Sequence, residues 1–153
     1  MLLILIKGLW MEKIEIPKVE VKASYDSGSP NVLLRARNIL REASELPEFG
    51  GAGNDFTPLE YMLASLASCE AFMFGMLAKM LMKKLPKIEI DVEAEFSVGE
   101  GLKTLRIRYR VTGIEEGITH AIINQVKATC PIYNTLKRAC ENIYEEVIVK
   151  PDE

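Results

Sequence analysis

The sequence predicts an α+β fold in which antiparallel sheets surround a long, buried central helix. Two segments alternate between apolar and charged residues, and residues 57–85 are apolar around almost the whole helix circumference. Period-two alternation indicates half-buried strands, whereas a helix that is apolar on all sides must be covered on more than one side. One domain of 153 residues offers too little to cover that helix, so we expect a homodimer.

The N-terminal segments predict short strands joined by a turn and a loop. Residues 14–25 alternate between apolar and polar types, and Pro17 places that strand at a sheet edge. Residues 26–30 form a turn cluster. Residues 31–42 fit a strand or a helix, and we favour two short strands because the segment lies between a turn and a loop. That loop, residues 45–55, contains three glycines.

The long helix is expected to begin after Thr57, to run to about Leu85 and to stop before Pro86. Thr57 fits the N-cap position and Glu60 fits the third helical position, which together form a capping box. Pro58 suits the first helical position, where its missing N–H costs no hydrogen bond.

Two alternating segments, residues 88–98 and 104–111, predict a hairpin with acidic residues on one strand and basic residues on the other. A turn at Glu100 and Gly101 brings both the charged and the apolar faces into one register, which makes the charge ladder structural. The expected pairs are Glu95 with Arg106, Glu93 with Arg108, Asp91 with Arg110, Phe96 with Leu105, and Val92 with Tyr109.

Two helices and a strand complete the expected order of elements. A helix with one apolar face follows Gly113, and it ends at Cys130 because Pro131 comes next. A second, short helix starts there, and residues 143–149 form a closing strand. We expect one domain over residues 1–153, with residues 1–13 as an extension, a mis-assigned start or an extra strand.

Composition excludes several function classes. The net charge of −3 and the scattered Lys and Arg residues give no basic footprint, so no nucleic-acid partner is expected. Three cysteines without a Cys-x-x-Cys pair and a single histidine argue against a disulfide scaffold and a zinc site. We therefore predict no metal and no cofactor.

The long helix is too often interrupted by charge to be expected in a membrane. Its longest charge-free run, residues 61–69, is far shorter than a bilayer span. We expect a cytoplasmic protein without a membrane partner. Abundant Glu, Lys and Ile beside a single Gln and a single His indicate a thermophilic source.

Two cysteines, Cys69 and Cys130, are the main reactive groups of the chain, and they lie 61 positions apart in the sequence. Cys69 has no basic residue within one helical turn, so it fits a core thiol as well as a nucleophile. Cys130 is expected at a helix N-cap, where the helix N–H groups lower its pKa and suit it to disulfide exchange.

Other candidate residues have narrower expected roles. A cation for Cys69 would come from Arg35, Arg37 or Arg41, and Cys140 is expected in the core. Glu60 lies nine residues before Cys69, about 180° around the helix, so it cannot touch Cys69 of its own chain. It caps the helix or acts across a dimer interface.

Two parts of the chain resemble the signature of OsmC-like proteins. The first is the segment from Gly50 to Cys69, in which the helix begins with Thr-Pro-Leu-Glu, and the second is the later Cys130-Pro131-Ile132. The resemblance covers the chain from about Lys18 and implies an intertwined α+β homodimer. In the peroxidase branches of that family the first cysteine, here Cys69, is peroxidatic and the second, here Cys130, resolves the sulfenic acid.

The same resemblance implies further site residues and one departure. An arginine, here Arg37 or Arg35, would stabilise the thiolate and the peroxide. Leu59 stands where the peroxidase branches have a catalytic glutamate, which places the chain nearer the less characterised branches. The implied reductant is an external dithiol such as a lipoyl group.

Three hypotheses about function follow. The first is a cysteine-based peroxidase that reduces organic hydroperoxides in oxidative stress defence. The second is a non-enzymatic binding protein that holds an apolar ligand in a methionine-lined groove, with incidental cysteines. The third is a redox sensor whose disulfide forms without rapid peroxide turnover.

Overall fold

The computed structural model describes residues 16–82 and 85–151. The chain divides into two compact units, Met1–Glu60 and Tyr61–Glu153. The expectations for residues 1–13 and for the first residues of the strand at 14–25 lie outside the described residues.

The first unit contains an antiparallel sheet of three short strands in the order β1-β2-β3. These strands are β1 (Lys22–Tyr25), β2 (Asn31–Ala36) and β3 (Ile39–Ser44). The prediction of two short strands in place of a helix is confirmed. β1 is shorter than expected, because the described residues before it, 16–21, are exposed and pair with no strand.

The loop after β3 includes a short 3₁₀ helix, Pro47–Phe49, and folds back onto the end of that strand. The buried Ser44 hydroxyl accepts the backbone N–H of Gly53 at 3.0 Å. A Cβ at Gly51 would lie 1.9 Å from the Glu45 carbonyl oxygen, so this close approach requires glycine.

The long helix α1 (Pro58–Leu81) begins with the predicted capping box. The Thr57 N–H donates to Glu60 Oε2 at 2.7 Å, and the Glu60 N–H donates to Thr57 Oγ1 at 3.2 Å. The helix ends at Leu81 instead of about Leu85, because Pro86 sets only an outer limit for the end.

α1 is long and apolar enough to cross a membrane by length and composition alone, and no other described helix meets that criterion. The core helices of soluble proteins meet it as well. In this protein a stripe along α1 is buried in the second unit. The stripe consists of Leu66, Glu70, Phe74, Leu77 and Ala78.

The second unit contains a sheet in the order β4-β5-β6 and two further helices. The strands are β4 (Lys87–Ser97), β5 (Gly101–Thr112) and β6 (Asn142–Lys150), and the helices are α2 (Glu116–Thr129) and α3 (Pro131–Ala139). β6 runs parallel to β5, which differs from the antiparallel arrangement expected for every strand. The helical crossover between β5 and β6 is long enough to return the chain in the same direction.

The β4–β5 hairpin forms as predicted, but its register differs by two residues from Lys87 to Glu95 and by three residues at Phe96, which pairs with Leu102. Glu93 pairs with Arg106 and Asp91 pairs with Arg108, so the predicted pairs are wrong. The hairpin closes earlier than expected because Gly99 takes a φ of 83°, which a turn at this point requires. A shift of two residues keeps every side chain on its predicted face.

An irregularity between Glu95 and Phe96 completes the change in register. Some predicted charge contacts still form diagonally across the strands. Arg106 Nη1 lies 2.7 Å from Glu95 Oε1, and Arg110 Nη2 lies 2.9 Å from Asp91 Oδ1. The charged face is therefore structural, as expected.

The core of the second unit lies between the inward face of β5 and the helices. Inward residues of β5 are buried, whereas the arginines between them carry the charged ladder on the opposite face. The largest fully buried hydrophobic side chains of this core are Tyr109, Phe74, Leu66, Leu105, Ile107, Ile122, Val111 and Val126. α1, α2 and β5 thus fix the region from which both candidate cysteines project.

Candidate functional site

The fold of the second unit brings Cys69 and Cys130 into contact. Cys130 Sγ lies 3.2 Å from Cys69 Sγ, although the residues are 61 positions apart. Both thiols are free, and the separation exceeds the ~2.05 Å of a disulfide bond. The pair is therefore a reduced dithiol whose sulfur atoms need to move by little more than 1 Å to bond.

Cys130 is fully buried at the N-cap of α3, as predicted from Pro131. Its Sγ accepts the Tyr133 N–H at 3.3 Å. The predicted lowering of its pKa is wrong. Burial raises the pKa of the Cys130 thiol to about 12, because the loss of hydration outweighs the N–H groups at the helix start.

Cys69 is the more accessible sulfur of the pair. It lies on α1, is partly exposed and packs against the core. The Cys130 S–H points at it as a donor. Cys140, the third cysteine, is partly buried with its Sγ 3.2 Å from the Asn142 carbonyl oxygen, and packs against the core as predicted.

A buried carboxyl group follows Cys69 directly in the chain. Glu70 is fully buried, and the Tyr109 hydroxyl donates to its Oε2 at 2.9 Å. Its Oε1 is also buried and has no hydrogen-bond partner among the described residues. Burial raises the pKa of Glu70 to about 7, against the lowering by Tyr109; the charge of Glu145 raises it further, and Lys127 lowers it.

A second polar contact involves Tyr133, whose backbone N–H donates to Cys130. The Tyr133 hydroxyl donates to Glu145 Oε1 at 2.8 Å, and Lys127 forms an ion pair with the other oxygen of Glu145. Burial raises the pKa of Tyr133, and Glu145 adds to that shift. Tyr133 therefore contacts Cys130 through its backbone and Glu145 through its ring hydroxyl.

Sequence reasoning missed Glu70 and Tyr109 as members of this site, although the pattern contained a signal. Glu70 lies four residues after Leu66 and four before Phe74, which places it in the buried stripe of α1. Tyr109 occupies an inward position of β5. A carboxyl on an apolar stripe and a tyrosine on an inward strand face indicate a buried hydrogen bond.

The predicted cation donors and the predicted helix cap belong to the first unit. Arg35 lies on β2, and Arg37 follows it in the turn with a φ of 55°; both are exposed, as is Arg41 on β3. Glu60 makes the capping contacts already described. Their roles towards Cys69, including a role of Glu60 across a dimer interface, stay predictions.

One face of α1 is an open apolar groove. Phe72 is 81% exposed there, and Met76 and Met80 are 43% and 49% exposed. The groove is lined by Ser68, Ala71, Phe72, Gly75, Met76 and Lys79. Within residues 16–82 and 85–151, no group of three or more His, Cys, Asp or Glu side chains could hold a metal ion.

Comparisons with known proteins agree on family and fold. A sequence profile described as OsmC-like protein matches residues 51–145. No curated protein matches the sequence. Several solved structures share the fold at low identity, and three of them are described below.

The first is a hypothetical protein from Aquifex aeolicus VF5, with a TM-score of 0.75, 18% identity, and coverage of 90% of this chain and 100% of that chain. The second is an OsmC-like protein from Mycoplasma pneumoniae, with a TM-score of 0.72, 20% identity, and coverage of 94% and 100%. An organic hydroperoxide resistance protein OsmC from Legionella pneumophila matches with a TM-score of 0.65, 17% identity, and coverage of 88% and 98%. These likenesses confirm the predicted α+β fold.

Proposed function

Because the chain belongs to the OsmC-like family, whose profile matches residues 51–145, we propose that it reduces organic hydroperoxides through the Cys69–Cys130 dithiol. The observation that carries this proposal is the 3.2 Å separation of the two sulfur atoms. The name of the Legionella pneumophila structure, an organic hydroperoxide resistance protein, supports the substrate class. The corresponding cellular role is oxidative stress defence.

The first step is oxidation of Cys69. Cys130 keeps its proton because burial raises its pKa to about 12, and its S–H faces Cys69 as a donor. Cys69 is therefore the sulfur that reacts as the thiolate. It attacks one peroxide oxygen, the O–O bond breaks, and the alkoxide takes up a proton and leaves as an alcohol. Cys69 becomes a sulfenic acid.

The second step forms the disulfide. Cys130 Sγ attacks the sulfur of the Cys69 sulfenic acid, and the S–O bond breaks as the S–S bond forms. The Cys130 proton leaves with the hydroxide as water. An external dithiol, for which a lipoyl group is the candidate, reduces the disulfide by thiol–disulfide exchange and is itself oxidised. The cytoplasm, where thiols are kept reduced, is the matching compartment.

We further propose that the segment 35–41 supplies the cation that acts on Cys69. Arg37 or Arg35 would hold Cys69 as the thiolate and polarise the peroxide, in keeping with the charge-assisted hydrogen bonds that guanidinium groups form. The Leu59 side chain has no group that could stabilise the thiolate or polarise the peroxide, so the chemistry relies on the arginine and the dithiol. Both arginines are exposed and therefore free to contact an anion.

We expect one equivalent of an organic hydroperoxide to remove two free thiols from the reduced protein within seconds. Mass spectrometry of the alkylated, digested protein should show a Cys69–Cys130 bridge and a free Cys140. Hydrogen peroxide, tested in parallel, measures the preference for organic substrates. No thiol loss over minutes would contradict the proposal. If the bridge forms but no added dithiol supports repeated reduction of the peroxide, the result would instead favour the redox-sensor hypothesis.

The apolar groove on α1 supports a homodimer, in which a second copy of the chain covers Phe72 and its neighbours. A side chain of this size that is 81% exposed costs free energy in water, roughly 1.5–3 kcal/mol when left uncovered. A second copy presents the same apolar helix face, so an isologous interface would bury both.

Replacing Phe72 by Glu is expected to convert the dimer into monomers, because a carboxylate cannot be buried in an apolar interface without a partner. Analytical ultracentrifugation at micromolar concentration measures the change. Phe49→Glu, at an exposed aromatic residue of the first unit, is the matched control and should leave the dimer intact. A wild-type monomer that purifies with an apolar ligand in the groove would contradict the dimer and favour the binding-protein hypothesis.

A further inference from the structure

We propose that Glu70 and Tyr109 are positioning residues of the dithiol and that the protonation state of Glu70 sets how fast Cys69 and Cys130 form a disulfide. The inference rests on the proposed dithiol chemistry but not on a peroxide as the oxidant. It concerns two residues that have no role in the steps above.

The Glu70–Tyr109 hydrogen bond fixes the rotation of α1 about its own axis. Both side chains are almost fully buried, at 0% and 2% exposure, and they join α1 to the central strand β5. Cys69 immediately precedes Glu70, so its direction depends on the same rotation. A turn of the helix by a few tens of degrees would separate the sulfur atoms, which now lie 3.2 Å apart.

Cys130 is tied to the same buried polar region by a separate route. Its Sγ accepts the Tyr133 N–H, and the Tyr133 hydroxyl donates to Glu145. The charge of Glu145 acts on Glu70 and on Tyr109. The two sulfur atoms are therefore each connected, through one neighbouring residue, to one cluster of ionisable groups in which Glu70 and Tyr109 are buried.

The charge balance of this cluster depends on Glu70. The groups that face it are Tyr109 from β5, Glu145 from β6, Lys127 from α2 and Tyr133 from α3. Lys127 already neutralises Glu145 through their ion pair. An ionised Glu70 adds a negative charge without a cation, and one of its oxygens has no hydrogen-bond partner among the described residues.

An ionised Glu70 should slow the reaction of the dithiol. A thiolate on Cys69 places a second negative charge on the residue next to the buried carboxylate, and like charges at short range disfavour each other. A neutral Glu70 removes that repulsion while keeping the hydrogen bond that positions α1. Glutamine reproduces the neutral state at every pH.

The test uses an oxidant other than a peroxide. With 4,4′-dithiodipyridine, the Cys69 thiolate attacks the aromatic disulfide and releases one thiopyridone. Cys130 then attacks Cys69 Sγ of the mixed disulfide, which forms the Cys69–Cys130 bond and releases the second thiopyridone. Two thiols are oxidised, one reagent disulfide is reduced, and the two thiol protons end on the nitrogen atoms of the two released thiopyridones. Stopped-flow absorbance of the released thiopyridone gives the rate of both steps.

Wild type and Glu70→Gln should react at the same rate near pH 5.5, where the carboxyl group is neutral. Near pH 8.5 the Glu70→Gln protein should react roughly 3- to 10-fold faster, because the carboxylate charge that repels the Cys69 thiolate is absent. In the Tyr109→Phe protein, the pH above which the rate falls below that of Glu70→Gln should be higher than in wild type, because the Tyr109 hydroxyl lowers the pKa of Glu70. Glu116→Gln, at an exposed carboxyl group of α2, is the control and should follow wild type.

Rates of wild type and Glu70→Gln that stay in a constant ratio across this pH range would overturn the inference, because a merely structural role is independent of protonation. A pH-dependent ratio with no reaction towards organic hydroperoxides would uphold the inference and remove the proposed function. A protein that forms no Cys69–Cys130 bridge with either oxidant would overturn both. Circular dichroism confirms that each variant is folded before its rate is used.

Discussion

Replacing Cys69 by serine is expected to reduce the peroxide-dependent loss of thiols at least ~100-fold, because a serine hydroxyl does not ionise near neutral pH and cannot form a sulfenic acid. The reaction of the reduced variant with one equivalent of an organic hydroperoxide is followed by thiol titration and by peroxide consumption. Cys140→Ser is the matched control. It should retain wild-type rates, because the Cys140 thiol lies against the Asn142 carbonyl, outside the Cys69–Cys130 contact.

Cys130→Ser separates the two proposed steps. The first oxidation should still occur once, because Cys69 is the accessible sulfur, and the Cys69 sulfenic acid should accumulate without forming a bridge. A dimedone adduct on Cys69, detected by mass spectrometry, marks that state. Full turnover by Cys69→Ser would contradict the assignment of the peroxidatic thiol, and full turnover by Cys130→Ser would contradict that of the resolving thiol.

Local features of the fold could be predicted because the residues that determine them are neighbours in sequence. The capping box at Thr57 and Glu60 and the N-cap at Cys130 each depend on a spacing of three residues or on a following proline. The β4–β5 hairpin was predictable for the same reason, since alternation fixes the faces of a strand.

Features that depend on three-dimensional packing were not predictable in the same way. The hairpin register differs from the predicted one because both registers satisfy the same alternation, and the turn with Gly99 and Gly101 at positive φ distinguishes them. The direction of β6 depends on the path of the crossover rather than on its own residues. The pKa of Cys130 depends on burial that no local pattern reports.

In the candidate site, too, the features set by local sequence were predictable and those set by three-dimensional packing were not. The two cysteines were predictable from their motifs, but the carboxyl group next to Cys69 was not recognised, because its partner Tyr109 lies 39 positions away. The same buried stripe that packs α1 carries Glu70 into the core. Cys69 and the costly buried carboxyl group of Glu70 are therefore consecutive residues of one helix. The buried carboxyl group has a measurable consequence for stability.

The free energy of unfolding of the wild type should fall relative to that of Glu70→Gln as the pH rises from about 4.5 to 7. Burial raises the pKa of Glu70 from its ordinary 4.5 to about 7 in the folded protein. Between these values the folded chain keeps a proton that the unfolded chain has lost, so the native state binds more protons and stability decreases with pH. Below this window Glu70 contributes no such penalty, and above it the penalty is complete.

At one pKa unit per ~1.36 kcal/mol, the complete penalty is roughly 3 kcal/mol. Urea unfolding of the reduced protein near pH 5 and near pH 8 should therefore show Glu70→Gln gaining most of that amount, roughly 2.5 kcal/mol, on wild type between the two conditions. Glu116→Gln, at an exposed carboxyl group, should show no comparable change. A stability difference between Glu70→Gln and wild type that is equal at both pH values would mean that Glu70 is ionised in the folded protein throughout. The protonation state of the buried carboxyl group could then not control the reaction of the dithiol in this pH range.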